Sequence, residues 1–309
     1  MEKYLPEGAV FNSRETEKIF ASESLLKEAC EKRLYLEARA LMCDNAHNLH
    51  FKLGNIKGFM PHDECAEGVK DASVKDIAII SRVNKPTGFY ITEVDLSSEN
   101  PVAVLSRTEA QADCRKNYIS NLRTGDIIDA KITHIEPFGA FCDIGRGITA
   151  LLPINSVSVS RIPNPHSRFF IGQNIKAVVR SIDENGRITL SHRELLGTWE
   201  ENARAFHSGE TVTGIVRSVE PYGVFVELSP NLAGLAEYAE GVEVGQSASV
   251  FIKSINPEKM KIKLIIVGTD SFACENRNYK YFIDSGHIDF WRYSPCNCTK
   301  IVEKLFFFC

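Results

Sequence analysis

Glu136-Pro137-Phe138-Gly139-Ala140-Phe141 and Glu220-Pro221-Tyr222-Gly223-Val224-Phe225 repeat one another, with the aromatic, glycine and aromatic positions in register. Each follows an alternating segment that begins shortly after a glycine, Gly125 or Gly209. Each leads through an acidic-apolar strand end and a turn to Ala150-Leu151 or Gly234-Leu235. Self-similarity at this scale marks two copies of one small β module.

Around the first copy, Ile128, Ala130 and Ile132 alternate with Asp129, Lys131 and Thr133, the period of a half-buried strand. Ala140, Cys142 and Ile144 form the next inward set, and Leu151 and Leu152 follow. After an irregular stretch with Pro163 and Pro165, Ile175, Ala177 and Val179 alternate again. Asp183-Glu184-Asn185-Gly186 is a tight turn into Arg187-Ile188-Thr189-Leu190. Val212, Gly214 and Val216, then Val224, Val226 and Leu228, repeat the order around the second copy, and the last two strands fall at 249–252 and 262–266. Five short strands with an insertion before the fourth is the pattern of a Greek-key oligonucleotide-binding (OB) barrel. The expected fold is mainly β: tandem five-stranded OB-fold barrels joined by helical linkers, with a helical N-terminal lead-in and a C-terminal tail.

The expected divisions are a lead-in over 1–35, a degenerate module over 36–107, modules over 123–193 and 207–267, and a tail over 268–309. Leu25, Leu26, Ala29 and Leu34 fit one apolar side of a lead-in helix. In 36–107, Leu49, Phe51 and Leu53 alternate. The run Ile77-Ala78-Ile79-Ile80 reads as one more β segment among Ile56 to Met60, Phe89 to Val94 and Pro101 to Ser106. A connecting helix is expected over 107–122. In the next linker Ser191 and Glu194 form a candidate capping box, and Leu195, Trp199 and Ala203 share a helical face.

The 309 residues are 44% hydrophobic and 25% charged, with a net charge of -4. Bulk charge does not announce a nucleic-acid binder, so any such binding rests on a local basic stripe. The 123–193 module carries nine basic and six acidic residues, the 207–266 stretch five and seven. Counterion release therefore favours the former as the stronger RNA contact. No signal-peptide core or membrane-length apolar window is present, so the chain is expected in the cytoplasm, without a membrane partner. Nine cysteines without framework spacing read as reduced thiols. Cys296-x-Cys298 is a poor match to a zinc knuckle, so neither metal nor cofactor is expected. There is no Gly-x-Ser-x-Gly, phosphate loop or His-Glu-x-x-His, which points away from an enzyme. Tyr279, Tyr281, Phe282, Phe290, Trp291 and Tyr293 indicate a folded or docked tail, and Leu305-Phe306-Phe307-Phe308 is expected to be buried.

Strand alternation puts Phe141 with Asp143, and Phe225 with Glu227, on the side opposite the core, a face expected to be wet. A single exposed aromatic most often covers a barrel end or packs on a neighbour. Two modules with the same pair fit stacking of unpaired bases, which tolerates any sequence.

These residues resemble a known family. The order Gly125, Pro137 to Phe141, Gly147-Ile148-Thr149-Ala150-Leu151-Leu152-Pro153, Gly172-Gln173 with Ala177-Val178-Val179, and Ile182-Asp183 with Arg187-Ile188-Thr189-Leu190-Ser191 resembles the S1 RNA-binding domain. The likeness is specific over 123–193, good over 207–266 and weak over 36–106. The whole arrangement looks like a short bacterial S1-type ribosomal protein. The resemblance implies binding of single-stranded RNA on one barrel face, at Phe138, Phe141, Asp183 and Arg187, and at Tyr222, Phe225, Asn256 and Lys261. Pro153 and Glu237 stand where a histidine is common in the family. The first module lacks the motif. There, His47 and His50 are either a weak stacking surface or an ordinary surface hairpin, and the module's expected role is docking on the ribosome. The implied function is to hold mRNA at the small ribosomal subunit. An accessory role in RNA processing or decay, and a protein-interaction scaffold, stand as alternatives.

Overall fold

The computed structural model describes residues 4–97, 100–272 and 279–306. It contains three closed five-stranded barrels. The chain divides into two compact units: Met1–Leu122 with Asp143–Thr149, and Arg123–Cys142 with Ala150–Cys309.

In the first unit, β1 (Leu36–Cys43), β2 (Leu49–Leu53), β3 (Ile56–Met60), β4 (Pro86–Asp95) and β5 (Val102–Ser106) close in the order β1-β2-β3-β5-β4. The alternating Leu49, Phe51 and Leu53 meet Ala38, Met60, Phe89 and Leu105 in the core. The lead-in is two short helices, α1 (Arg14–Phe20) and α2 (Glu23–Glu31), because Ser13 and Ser22 each cap a new start by accepting a backbone N–H. Leu26 and Ala29 are buried as expected, but Leu25 and Leu34 are exposed. The Ile77–Ile80 run is not a strand. It forms α3 (Asp76–Ile80), which buries Ile79 and leaves Ile77 and Ile80 in solvent. Three isoleucines in four residues satisfy either period, and the single buried one shows the helical choice. The connecting helix is α4 (Arg107–Asn117).

Residues 143–149 belong with this unit. Arg146 is buried there, donating to the Tyr90 hydroxyl at 2.6 Å and to Asp113 Oδ2 at 2.7 Å, with Tyr4 and Tyr35 rings within 4.4 Å and 4.3 Å of its guanidinium carbon. Desolvation of so large a cation is offset by the carboxylate and the ring faces.

In the second unit, β6 (Ile127–Glu136), β7 (Gly139–Asp143), β8 (Thr149–Pro153), β9 (Asn174–Ile182) and β10 (Ile188–Ser191) close in the order β10-β8-β7-β6-β9. The third barrel uses β11 (Thr211–Glu220), β12 (Gly223–Ser229), β13 (Leu232–Ala236), β14 (Gln246–Asn256) and β15 (Lys261–Phe272), in the order β11-β12-β13-β15-β14. Each barrel closes through one parallel pair: β3 with β5, β8 with β10, β13 with β15.

The linker differs from expectation at its cap. The capping box is Thr198 with Glu201, opening α5 (Trp199–Ala203), while the Ser191 hydroxyl bonds the Glu194 side chain. Leu195, Trp199 and Ala203 are nonetheless all buried. The tail pairs β16 (Phe290–Arg292) with β17 (Glu303–Leu305) and buries Trp291, Tyr293 and Phe306. Leu305 is exposed, contrary to expectation, because strand alternation turns it away from Phe306. Phe307, Phe308, Cys274 and Cys309 lie outside the described residues.

Candidate nucleic-acid interface

The β6–β7 hairpin carries the first aromatic pair. Phe138 sits in its turn and is 56% exposed. Its carbonyl accepts the Ile154 N–H at 2.9 Å, which fixes the turn backbone. Phe141 is half-buried on β7, where the Thr133 hydroxyl donates to its carbonyl at 3.1 Å. The two rings are 6.1 Å apart at 89°. Tyr222, 68% exposed, and the half-buried Phe225 repeat this at 6.3 Å and 87°. A half-buried ring thus supports an exposed one in both copies.

The glycines inside the motif serve the barrel. A Cβ on Gly139 would lie 2.5 Å from the Leu152 carbonyl oxygen, and one on Gly223 2.4 Å from that of Ala236. The neighbouring strand approaches too closely for any side chain, and Gly223 also holds φ +149°.

Asp183 and Arg187 flank the β9–β10 turn. Asp183 Oδ1 accepts the N–H groups of Asn185 at 2.9 Å and Arg187 at 2.8 Å, and Gly186 takes φ +70°. The carboxylate therefore holds the turn, and the Arg187 side chain is exposed. In the third barrel Asn256 Oδ1 accepts the Lys259 N–H at 2.9 Å, and Lys261 follows, exposed, at the start of β15. Because β9 runs antiparallel to β6, its turn and the β6–β7 turn lie at opposite strand ends. The fold thus brings Phe138 to Phe141 and Asp183 to Arg187, but does not join the two pairs in contact.

The acidic partners do not make a wet face. Glu227 is buried, with Arg217 Nε at 3.0 Å and Nη2 at 3.1 Å, and Arg168 forms a further ion pair with it. Asp143 is also buried and accepts the N–H groups of Glu7 at 2.8 Å, Gly145 at 2.8 Å and Gly147 at 3.0 Å. Burial, with the Glu7 charge beside it, holds its carboxyl above the usual carboxylate range. Alternation correctly separates these side chains from the barrel core, yet a strand side opposite the core can still be covered. The charge tally changes accordingly. Without the buried Arg146, Arg168 and Asp143 the 123–193 module has seven basic and five acidic residues; without Arg217 and Glu227 the 207–266 stretch has four and six. Those four are Lys253, Lys259, Lys261 and Lys263, all exposed along the β14–β15 hairpin.

Sequence reasoning missed His134. It is exposed on β6, its ring 6.3 Å from Phe141 at 27°, with Nε2 2.7 Å from Glu136. It extends the first pair to three rings. Ser218 occupies the corresponding place before Glu220, and is the residue opposite Phe225. A histidine two residues before the motif was the available signal. His47 and His50 are each paired with a carboxylate: His47 with Asp76 at 3.2 Å, and His50 with Asp44 at 3.0 Å.

The tail packs on β9 and on the segment after β10 of the second barrel. His192 is fully buried, its Nδ1 3.2 Å from the Val157 carbonyl and its Nε2 3.2 Å from the Tyr281 hydroxyl, which also accepts the Lys176 N–H at 3.1 Å. Burial pushes the imidazole down to about 4. Among the described residues no helix is long and apolar enough to cross a membrane.

The S1 RNA binding domain profile matches residues 121–193. The small ribosomal subunit protein bS1 of Staphylococcus aureus (strain COL) is 31% identical over 283 residues, covering 85% of this chain and 68% of the relative. That of Staphylococcus epidermidis is 31% identical over 192 residues, covering 57% and 49%. Among solved structures, the a/eIF2alpha-aDim2p-rRNA complex from Pyrococcus horikoshii matches 27% of this chain and 51% of its own at 25% identity, with a TM-score of 0.24.

Proposed function

As the chain belongs to the bS1 family of small ribosomal subunit proteins, we propose that it binds single-stranded RNA, mRNA in particular, and acts in translation at the small ribosomal subunit. The repeated edge-to-face pair carries this reading: one exposed ring braced by a half-buried one, in two barrels, at nearly the same angle. An exposed ring braced by a second ring is a platform for an unpaired base, and each such stack contributes roughly 1–3 kcal/mol. Phe138, Phe141 and His134 form the first platform and Tyr222 with Phe225 the second. Arg187 and Lys261 meet phosphates, while Asp183 and Asn256 hold the turns that present them. In the third barrel the pairing runs from Phe225 through Leu235 to Lys263, so the half-buried ring and the basic start of β15 share one face, and the RNA strand crosses that face from the exposed ring to the basic turn.

The protein works without catalysis in this reading, in the cytoplasm, and needs no cofactor. The test is affinity for an unstructured RNA oligonucleotide, together with co-sedimentation with small ribosomal subunits. Loss of affinity in a Phe138→Ala, Phe141→Ala, Arg187→Ala variant supports the platform, and unchanged affinity refutes it. RNA binding without subunit association would place the protein in RNA processing instead.

A further inference from the structure

The first barrel lacks the aromatic pair but holds a different cluster. His47 lies in the β1–β2 turn, His62 in the turn after β3, and Asp76 opens α3. One side-chain donor atom from each lies within 4.8 Å of the other two. His47 Nδ1 is 3.2 Å from Asp76 Oδ2, and His62 Nε2 is 2.9 Å from Asp76 Oδ1. The loop backbones are anchored from below: the Asp44 carbonyl accepts the His47 N–H at 3.0 Å, and Asn48 Oδ1 accepts the His62 N–H at 2.9 Å.

His62 supplies the decisive geometry. Its Nδ1 lies 3.1 Å from Asp63 Oδ1 while its Nε2 faces Asp76. In the neutral ring only one nitrogen carries a proton. If Nδ1–H donates to Asp63, the Nε2 lone pair points at a carboxylate. That contact is repulsive unless a second proton or a cation stands between them. A carboxylate on the distal nitrogen is also the arrangement that orients a metal-binding histidine and raises its basicity. Two tetrahedral ligands on zinc are about 3.3 Å apart, given Zn–N bonds of 2.0–2.1 Å; the two histidine–carboxylate separations are of that order but end on different Asp76 oxygens, so the carboxylate would meet the ion through both oxygens or turn to offer one.

We propose that His47, His62 and Asp76 form a binding site for a divalent transition-metal ion, zinc by ligand type, with Asp63 as the outer partner of His62. Two imidazoles select against magnesium and calcium, which take oxygen ligands. The two histidine side chains are about a third exposed and that of Asp76 half exposed, at 35%, 32% and 50%. The site is therefore open, with coordination positions left for water or a donor from another molecule. A bound ion would tie the β1–β2 turn to the segment between β3 and β4.

The experiment uses the full chain, reduced and stripped with chelator. Zn²⁺ is titrated by calorimetry, and Co²⁺ by absorption spectroscopy, into the parent protein and into His47→Ala, His62→Ala and Asp63→Asn. Far-ultraviolet circular dichroism verifies that these surface variants fold. The expected result is one equivalent of Zn²⁺ that disappears in both histidine variants and weakens about 10- to 100-fold in Asp63→Asn, with Co²⁺ giving visible bands of nitrogen–oxygen ligation. No bound equivalent, an equivalent that survives both histidine substitutions, or a Co²⁺ spectrum dominated by thiolate charge transfer overturns the proposal; the last would assign the metal to cysteine.

Discussion

Phe138 and Phe141 meet edge to face, one ring in solvent and the other set halfway into the barrel wall. The exposed ring of such a pair contributes little to folding and much to a base stacked on it. Phe138→Ala is therefore expected to lower affinity for single-stranded RNA by roughly 1–3 kcal/mol while moving stability by no more than about 0.5 kcal/mol. His134→Ala should weaken binding less, and Ser218→Ala not at all. Fluorescence anisotropy at fixed salt, paired with thermal melts, checks both halves.

Arg187 and Lys261 are exposed at the two turns, whereas Arg168 is buried on Glu227. Replacing Arg187 or Lys261 by Ala should reduce the slope of log affinity against log salt by about 0.7 each. Replacing Arg168 should leave the slope alone and lower the melting temperature. A slope that changes equally in all three variants would contradict this assignment.

Glu227 serves two arginines, so the order of damage is fixed. Glu227→Ala strands both cations in the interior and should cost roughly 3–5 kcal/mol. Arg168→Met leaves the Arg217 pair intact and should cost clearly less. Denaturant midpoints of the two variants provide the comparison, and the reverse order would mean that Arg168 is the main partner.

His192 sets a pH dependence. Burial pushes its imidazole from 6.5 down to about 4. Between those values the unfolded chain binds a proton that the folded chain refuses, so this group makes stability fall as pH drops through 6.5 toward 4, and its slope fades within about one pH unit above 6.5. The limb is on the order of 1 kcal/mol per pH unit. His192→Gln should flatten it in melts taken across that range; an unchanged limb would assign it to other groups.

Much of the barrel is legible in the sequence because strand alternation is local. Ile128, Ala130 and Ile132, or Val224 and Val226, declare their side within a few residues, and all five are buried. What surrounds the other side is not local. Glu227 reads as solvated because its second arginine is 59 residues away in the chain. The Ile77–Ile80 run misleads because four apolar residues carry no period. His134 escapes a comparison of the two copies because its ring occurs in only one. The partners of Asp183 can be foreseen from the Asp-Glu-Asn-Gly turn; their separation from Phe138 cannot, since it depends on which strands neighbour which.

The parallel pair that closes each barrel has a consequence for the chain's misfolding. Sister repeats of similar sequence can lend strands to one another, and such exchange is a characteristic failure of repeat proteins. A folded sheet accepts a further strand only where it presents unpaired backbone groups. In these rings the fifth strand occupies the flank of the third, so each repeat arrives already sealed against its neighbours. Similar modules can then be strung along one chain, and their surfaces can diverge, as the three here have done, without each divergence having to guard a folded edge against its neighbours.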